Sequence, residues 1–289
     1  MPVRREDCLD VESVPRVAVN GDIPPGVVMR VLTEDVKTGL DHLVVDYPAG
    51  WRSETRGYVT AGQDIFILKG DLTIGEYRLT TACYTYIPEG MVFDPVSTEK
   101  GCSALVFNDK AHHFVKAETS LPDAKTAQYV PFLQTWNLPW LDPMKDVVVK
   151  RSTWVDPRTG KEARPPGVLT KTLRQDPDTG AIVALTQLAA GYVDPGTEVH
   201  PHDECLYLIA GDAYIGHTYD KKKLHNKRDL VLKKDCYIAR HPGIYHGPVA
   251  SQNGALWLIY LSDGYTGIYA DVEDWDKLVE NYFATAAFR

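Results

Sequence analysis

Apolar and polar positions alternate along this chain in short runs, and Gly or Pro closes each run. Leu43-Val-Val-Asp-Tyr47, Asp64-Ile-Phe-Ile-Leu68, Cys83-Tyr-Thr-Tyr-Ile87 and Ser103-Ala-Leu-Val-Phe107 are rich in β-branched and aromatic residues. Such residues suit a pleated, half-buried surface, so each run predicts a strand. Four similar runs follow in the second half: Ile182-Val-Ala-Leu185, Cys205-Leu-Tyr-Leu-Ile209, Cys236-Tyr-Ile-Ala239 and Ala255-Leu-Trp-Leu-Ile-Tyr260. Asp35-Val-Lys-Thr-Gly39 and Asp176-Pro-Asp-Thr-Gly180 predict turns in which Gly supplies a positive φ. A helical period occurs near the C-terminus, where Trp275, Leu278, Val279, Tyr282 and Phe283 follow an acidic first turn; that stripe predicts a short helix packed on the core. Many short, evenly spaced strands imply an all-β barrel or sandwich in each half.

The halves also repeat each other. With a displacement of 141 residues, Leu32 meets Leu173, Asp35 meets Asp176, Gly50 meets Gly191, Gly70 meets Gly211 and Asp71 meets Asp212. The displacement then becomes 153, which places 12 extra residues between Asp212 and Cys236. Beyond them Cys83-Tyr84 meets Cys236-Tyr237, Gly90 meets Gly243, Pro95-Val96 meets Pro248-Val249 and Gly101 meets Gly254. Glycines, turn residues and apolar alternation recurring in one order indicate a duplication. The organisation expected is a first barrel over residues 1–110, an irregular, proline-bearing connector over 111–168 and a second barrel with the terminal helix over 169–289. The connector's Phe132-Leu-Gln-Thr-Trp136 stretch is too aromatic for a free linker and is expected to pack across the barrels or at a subunit interface.

Composition narrows the partners. The 289 residues suffice for two domains that each bury a core, and 44 % hydrophobic with 24 % charged content is ordinary for a globular protein. A net charge of −8 argues against nucleic acid, and the one basic run, Lys221-Lys222-Lys223, reads as a solvated hairpin tip. No run of about 20 apolar residues suggests a membrane span, and no apolar signal-like segment follows Met1. Five cysteines without a Cys-x-x-Cys spacing fit free thiols, so a cytoplasmic location is expected. Cys83 and Cys236, equivalent in the repeat, are expected in the core.

The chemistry concentrates in the second copy. It reads Pro195-Gly-Thr-Glu198-Val-His200-Pro-His202-Asp-Glu204 and continues six residues to Gly211; later come His241-Pro-Gly243-Ile-Tyr-His246-Gly-Pro248. These stretches resemble the two motifs of the cupin superfamily, a His-x-His followed by Glu, six residues and Gly, then Pro-x-Gly-x-x-His. Two features depart from the pattern: His241 stands where Pro is usual, and only Asp203 separates His202 from Glu204. The resemblance implies two tandem cupin barrels of the double-stranded β-helix, or jelly-roll, type. Two ligand registers follow. In one, His200, His202, Glu204 and His246 ligate; in the other, Glu198, His200, Glu204 and His246 do. Glu198, His200 and His202 share parity, so on a strand they would face one side, toward a barrel interior where an uncompensated carboxylate is costly. A two-His, one-carboxylate set with open positions favours iron(II); an oxygen-rich set suits manganese, and zinc also fits.

A single His at a strand end is usually packed or solvated, which is how His42, His112, His113, His217 and His225 read. Matched motifs set His200 and His246 apart. The positions paired with Glu198, His200, Glu204 and His246 hold Gly57, Val59, Gln63 and Phe93, so the first barrel has the scaffold without the ligands. It is expected to be structural, dimer-forming or a metal-free pocket, and a homodimer is expected. Its Tyr-rich strands and Gly-Asp turns are similar to ChrR-type cupins, a group that includes dioxygenases of β-diketones and hydroxyketones. That likeness implies a dioxygenase acting on a small organic substrate. Glu198 or His202, whichever does not ligate, would serve as catalytic base, and Tyr207, Arg240, Tyr245 and Trp257 would shape the substrate pocket. Two alternatives stand beside it. One is non-oxidative hydrolase, isomerase or lyase chemistry, given a likeness to the manganese bicupins that hydrolyse ureidoglycine; the other is a non-catalytic binding or sensor role.

Overall fold

The structure, a computed structural model, describes residues 8–19, 24–35, 37–156, 158–194, 196–218 and 228–269. Its regular elements are strands and single-turn 3-10 helices. The expected C-terminal helix, the basic run at Lys221–Lys223 and His225 lie outside the described residues. No helix among the described residues is long and apolar enough to cross a membrane. The five cysteines are free, and Cys83 and Cys236 are buried.

The chain forms two compact units. One runs Val11–Leu138; the other starts at Pro139 and takes in the N-terminal strand Leu9–Asp10, which pairs with Cys236–Arg240. Each unit is a cupin barrel, and the strand order is the same in both. In the first, Gln63–Ile74 lies beside Cys102–Asn108, then Asp41–Tyr47, then Val28–Glu34. In the second, Glu204–Thr218 lies beside Ala255–Leu261, then Ile182–Leu188, then Val168–Gln175. The apolar faces of these strands form a separate core in each unit, around Ile67, Leu72 and Leu79 in the first and Leu208, Leu232 and Ile238 in the second.

The duplication extends to irregularities of pairing. The long strand is bulged between Ile67 and Lys69 in one unit and between Leu208 and Ala210 in the other. Val28–Glu34 is bulged between Val31 and Thr33, and its counterpart Val168–Gln175 between Thr172 and Arg174. A bulge bends its strand and tightens the twist, which a small barrel needs to close. Asp71 accepts hydrogen bonds from the Glu99 and Lys100 N–H groups at 3.3 and 3.1 Å; Asp212 accepts those of Gln252 and Asn253 at 2.8 and 3.3 Å. The same carboxylate thus ties down the same turn twice. Gly70 and Gly211 have φ of +84° and +87°, and a Cβ on either would stand 1.9 or 1.8 Å from the carbonyl oxygen of Gly101 or Gly254. Only glycine fits there.

Residues 111–168 differ from the irregular connector expected. Phe114–Lys116 pairs with Gly57–Val59, and Val130–Gln134 pairs with Cys83–Ile87, within the first unit. Val149–Ser152 runs parallel to Tyr265–Tyr269 within the second. These are short edge strands with one neighbour and little two-sided burial, so their sequence carries no clear alternation. Trp136, on the 3-10 turn Thr135–Asn137 close to the end of the first unit, is 67 % exposed.

Gly211→Ala is expected to cost at least about 3 kcal/mol, because it adds a backbone clash to a left-handed φ. Gly191→Ala, at φ +75° with nothing within 4 Å of its Cβ, should cost only about 1 kcal/mol. Denaturant midpoints of the two variants check the order.

Candidate metal centre

Three elements of the second barrel meet at one point. Glu198–Val199 is a two-residue strand whose Glu198 pairs with His246, the second residue of Tyr245–Ser251; Glu204 begins the long central strand. The equivalent pairing in the first barrel is the bridge between Gly57 and Phe93, so the register that places His246 is inherited from the repeat. His200, Glu204 and His246 are all buried, and one ligand atom from each lies within 4.8 Å of the others.

The His200 and His246 Nε2 atoms are 3.1 Å apart. Glu204 Oε1 lies 3.8 Å from His200 Nε2, and Oε2 lies 3.6 Å from His246 Nε2. An ion about 2.1 Å from each of three donors would hold neighbouring donors about 3.0 Å apart in octahedral and about 3.4 Å apart in tetrahedral geometry. The group is therefore within a few tenths of an ångström of a ligating arrangement. The outer contacts fit as well. His200 Nδ1 lies 2.9 Å from the Thr266 carbonyl oxygen, and His246 Nδ1 lies 3.2 Å from that of Ile244. Nδ1–H donated to a carbonyl leaves each Nε2 with a bare lone pair aimed inward, the tautomer a ligating imidazole needs. Burial, reinforced by Arg240, holds the His246 pKa well below the ordinary imidazole value, so its ring stays neutral. Burial alone would raise Glu204, but Arg240 and the surrounding histidines outweigh it and keep the group a carboxylate. The donor set fits a divalent cation.

Arg240 joins the group from the strand Cys236–Arg240, and its Nη1 donates to Glu204 Oε2. Its Nε and Nη2 are buried without a hydrogen-bond partner. These two nitrogens form one edge of the guanidinium, the edge that grips a carboxylate or enolate side-on. A cavity of about 100 Å³ adjoins, lined by Arg164, Glu198, Glu204, Arg240, His246 and Trp257 among others.

Several sequence expectations need correction here. His202 does not join the group. Its Nε2 accepts the Thr266 N–H at 3.1 Å, its Nδ1 is 3.2 Å from the Asp203 carbonyl oxygen, and its ring stacks on His200 with centroids 5.0 Å apart. Neither nitrogen is left to bind a metal or accept a substrate proton. The parity argument fails because the strand ends at Val199 and the chain turns through residues 201–202. Glu198 does line the cavity, but its carboxylate is held by Arg164 Nη1 at 2.8 Å and by the Tyr265 hydroxyl instead of completing a ligand set. Tyr207 and Tyr245 do not line the cavity; the Tyr207 hydroxyl donates to Asp235 at 2.9 Å, and Tyr245 is half-buried elsewhere.

Arg164 was not foreseen. It comes from the stretch read as connector, stacks 4.6 Å over the Tyr265 ring, and also donates to the Tyr269 hydroxyl at 2.6 Å. Tyr269 in turn donates to Asp194 at 2.8 Å. Burial, with Glu198 close by, lifts Asp194 to a pKa of about 7, because one arginine faces two buried carboxylates. Only an Arg-Pro-Pro at residues 164–166 marked this segment, and it carries no motif.

Among solved structures, the chain is similar to a Nostoc punctiforme protein provisionally named a dioxygenase, at 19 % identity and TM-score 0.74, over 94 % of this chain and 89 % of that one. It is similar to Bacillus subtilis oxalate decarboxylase at 11 % identity and TM-score 0.57, over 93 % and 79 %. A Lactobacillus farciminis oxalate decarboxylase solved with formate matches at 10 % identity and TM-score 0.58, over 99 % and 97 %. At such identities the shared property is the cupin fold. No curated protein matches by sequence. Residues 9–266, which take in both barrels and the His200–Glu204–His246 group, match a family described as a domain of unknown function, and the chain is a member of that family, DUF4437.

Proposed function

We propose that the second barrel is the active site of a mononuclear metal enzyme acting on a small, oxygen-bearing organic anion, and that its reaction is dioxygenase cleavage of a carbon–carbon bond in a diketone or hydroxyketone. The observation that carries this reading is the two-His, one-carboxylate group with the open edge of Arg240 beside it. Such a donor set, with open positions, is the one that iron(II) oxygenases use. A bound iron(II) ion would supply Lewis acidity and the means to activate O₂, both atoms of which end in the two carbonyl-containing products. The diketone and hydroxyketone class rests on the likeness of the first barrel to ChrR-type cupins.

The remaining roles fall to the chain. A buried donor without an acceptor costs about 1–3 kcal/mol, so Arg240 Nε–H and Nη2–H are poised for an anionic oxygen that arrives with the substrate. Glu198, at the cavity wall and fixed by Arg164 and Tyr265, takes the proton that converts the ketone to its enolate. Trp257 and the apolar walls exclude bulk water. The cavity is smaller than the ~150 Å³ that holds a benzene ring, which favours a short-chain substrate.

Elemental analysis of the purified chain should give about one iron per molecule. His246→Ala should lower it more than tenfold, whereas His202→Ala should keep the metal, since neither His202 nitrogen is available. Equal loss in both variants would contradict the ligand assignment. With an oxygen electrode and small diketones or hydroxyketones as substrates, Arg240→Lys should raise KM about 10- to 100-fold at unchanged metal content, because lysine keeps the charge and loses the two-pronged edge. Full metal loading without any oxygen uptake would shift the chemistry to a non-oxidative lyase or hydrolase.

A further inference from the structure

The first barrel holds a cavity of its own, larger than that of the second, at about 170 Å³. Its walls are apolar and aromatic: Val45, Trp51, Ile65, Phe93, Val106 and Phe114. Substitution, not collapse, accounts for the missing metal site. Gly57 stands where the second barrel has Glu198, and a Cβ there would meet the Phe114 ring at 2.5 Å. The rings of Phe93 and Phe114 meet edge-on at 6.0 Å, and Phe93 occupies the place of His246.

Polar groups remain at that end of the cavity. Gln63, in the position of Glu204, donates from Nε2 to Asn108 Oδ1 at 2.8 Å; Asn108 donates to Asp41 at 2.6 Å, and His112 Nδ1 lies 3.4 Å from the other Asp41 oxygen. This leaves the Gln63 carbonyl and its second N–H uncommitted, and both Gln63 and His112 line the cavity. Tyr47 also lines the cavity, and burial keeps its hydroxyl protonated. Among the described residues no Arg, Lys, Asp or Glu lines this cavity, in contrast to the second barrel. An unfilled apolar void costs stability in proportion to its volume, and a dry cavity of ~150 Å³ accepts one benzene ring.

We propose that the first barrel is a binding site for a neutral, single-ring molecule bearing one hydroxyl or carbonyl oxygen, its ring against Phe93, Phe114 and Trp51 and its oxygen hydrogen-bonded to Gln63. Charge selects against the anions the second barrel is suited to hold, so the two sites differ in ligand class. The inference is independent of the metal chemistry proposed for the second barrel.

Crystals of the full chain soaked with phenol, and separately with cyclohexanone, should show the ring in the first barrel. Titration calorimetry should give saturable binding of both and none of benzoate there. Gln63→Leu should weaken phenol about three- to tenfold, the value of one hydrogen bond, and leave toluene unchanged, which also reports that the cavity is still formed. Val96→Phe, a half-buried rim position, should block all three ligands. Density confined to the second barrel, binding insensitive to Val96→Phe, or equal loss of phenol and toluene in Gln63→Leu would overturn the proposal.

Discussion

Two imidazole nitrogens 3.1 Å apart, each on a ring whose other nitrogen faces a backbone carbonyl, set the terms for the second barrel. Facing lone pairs repel, and a shared proton is disfavoured because burial and Arg240 hold His246 neutral. The neighbouring carboxylate of Glu204 stays ionised under the same arginine. A cation resolves all three demands at once, and this is why the proposed metal, rather than any single side chain, organises the site. The barrel supplies the geometry: the register of Glu198 against His246 and the start of the long strand at Glu204 leave little freedom for the donors.

The same scaffold is used twice with opposite contents. Bulges, turn carboxylates and left-handed glycines recur at equivalent positions in both barrels, and those features serve closure of the fold. Barrel interiors are free to diverge because inward side chains do not alter strand pairing. The second interior collects two arginines, Arg164 and Arg240, and three acids, Asp194, Glu198 and Glu204; the first lines a larger cavity mainly with apolar and aromatic side chains and the Gln63 amide. Burying charge demands partners, so Asp194, Glu198 and Glu204 are each matched by an arginine, a tyrosine or the proposed ion.

Much of this was legible in the sequence, and for a physical reason. Central strands such as Cys83–Ile87 and Ala255–Leu261 are buried on both sides, so β-branched and aromatic runs mark them clearly. The duplication made each weak signal count twice, and it singled out His200, Glu204 and His246 against Val59, Gln63 and Phe93. Edge strands such as Val130–Gln134 and Val149–Ser152 pair on one side and left no such trace. His202 was misplaced because parity holds only while a strand lasts, and this one ends at Val199. Arg164 reaches Glu198 from 34 residues away through a proline-flanked loop, and no local pattern encodes an ion pair of that kind.

The most direct measurement is anomalous diffraction from crystals of the full chain, recorded on either side of the iron edge. The account predicts one peak, within about 2.0–2.3 Å of His200 Nε2, His246 Nε2 and a Glu204 oxygen, and none in the first barrel. A metal-loaded protein whose peak lies away from these three atoms, or whose ion binds both barrels alike, would contradict it.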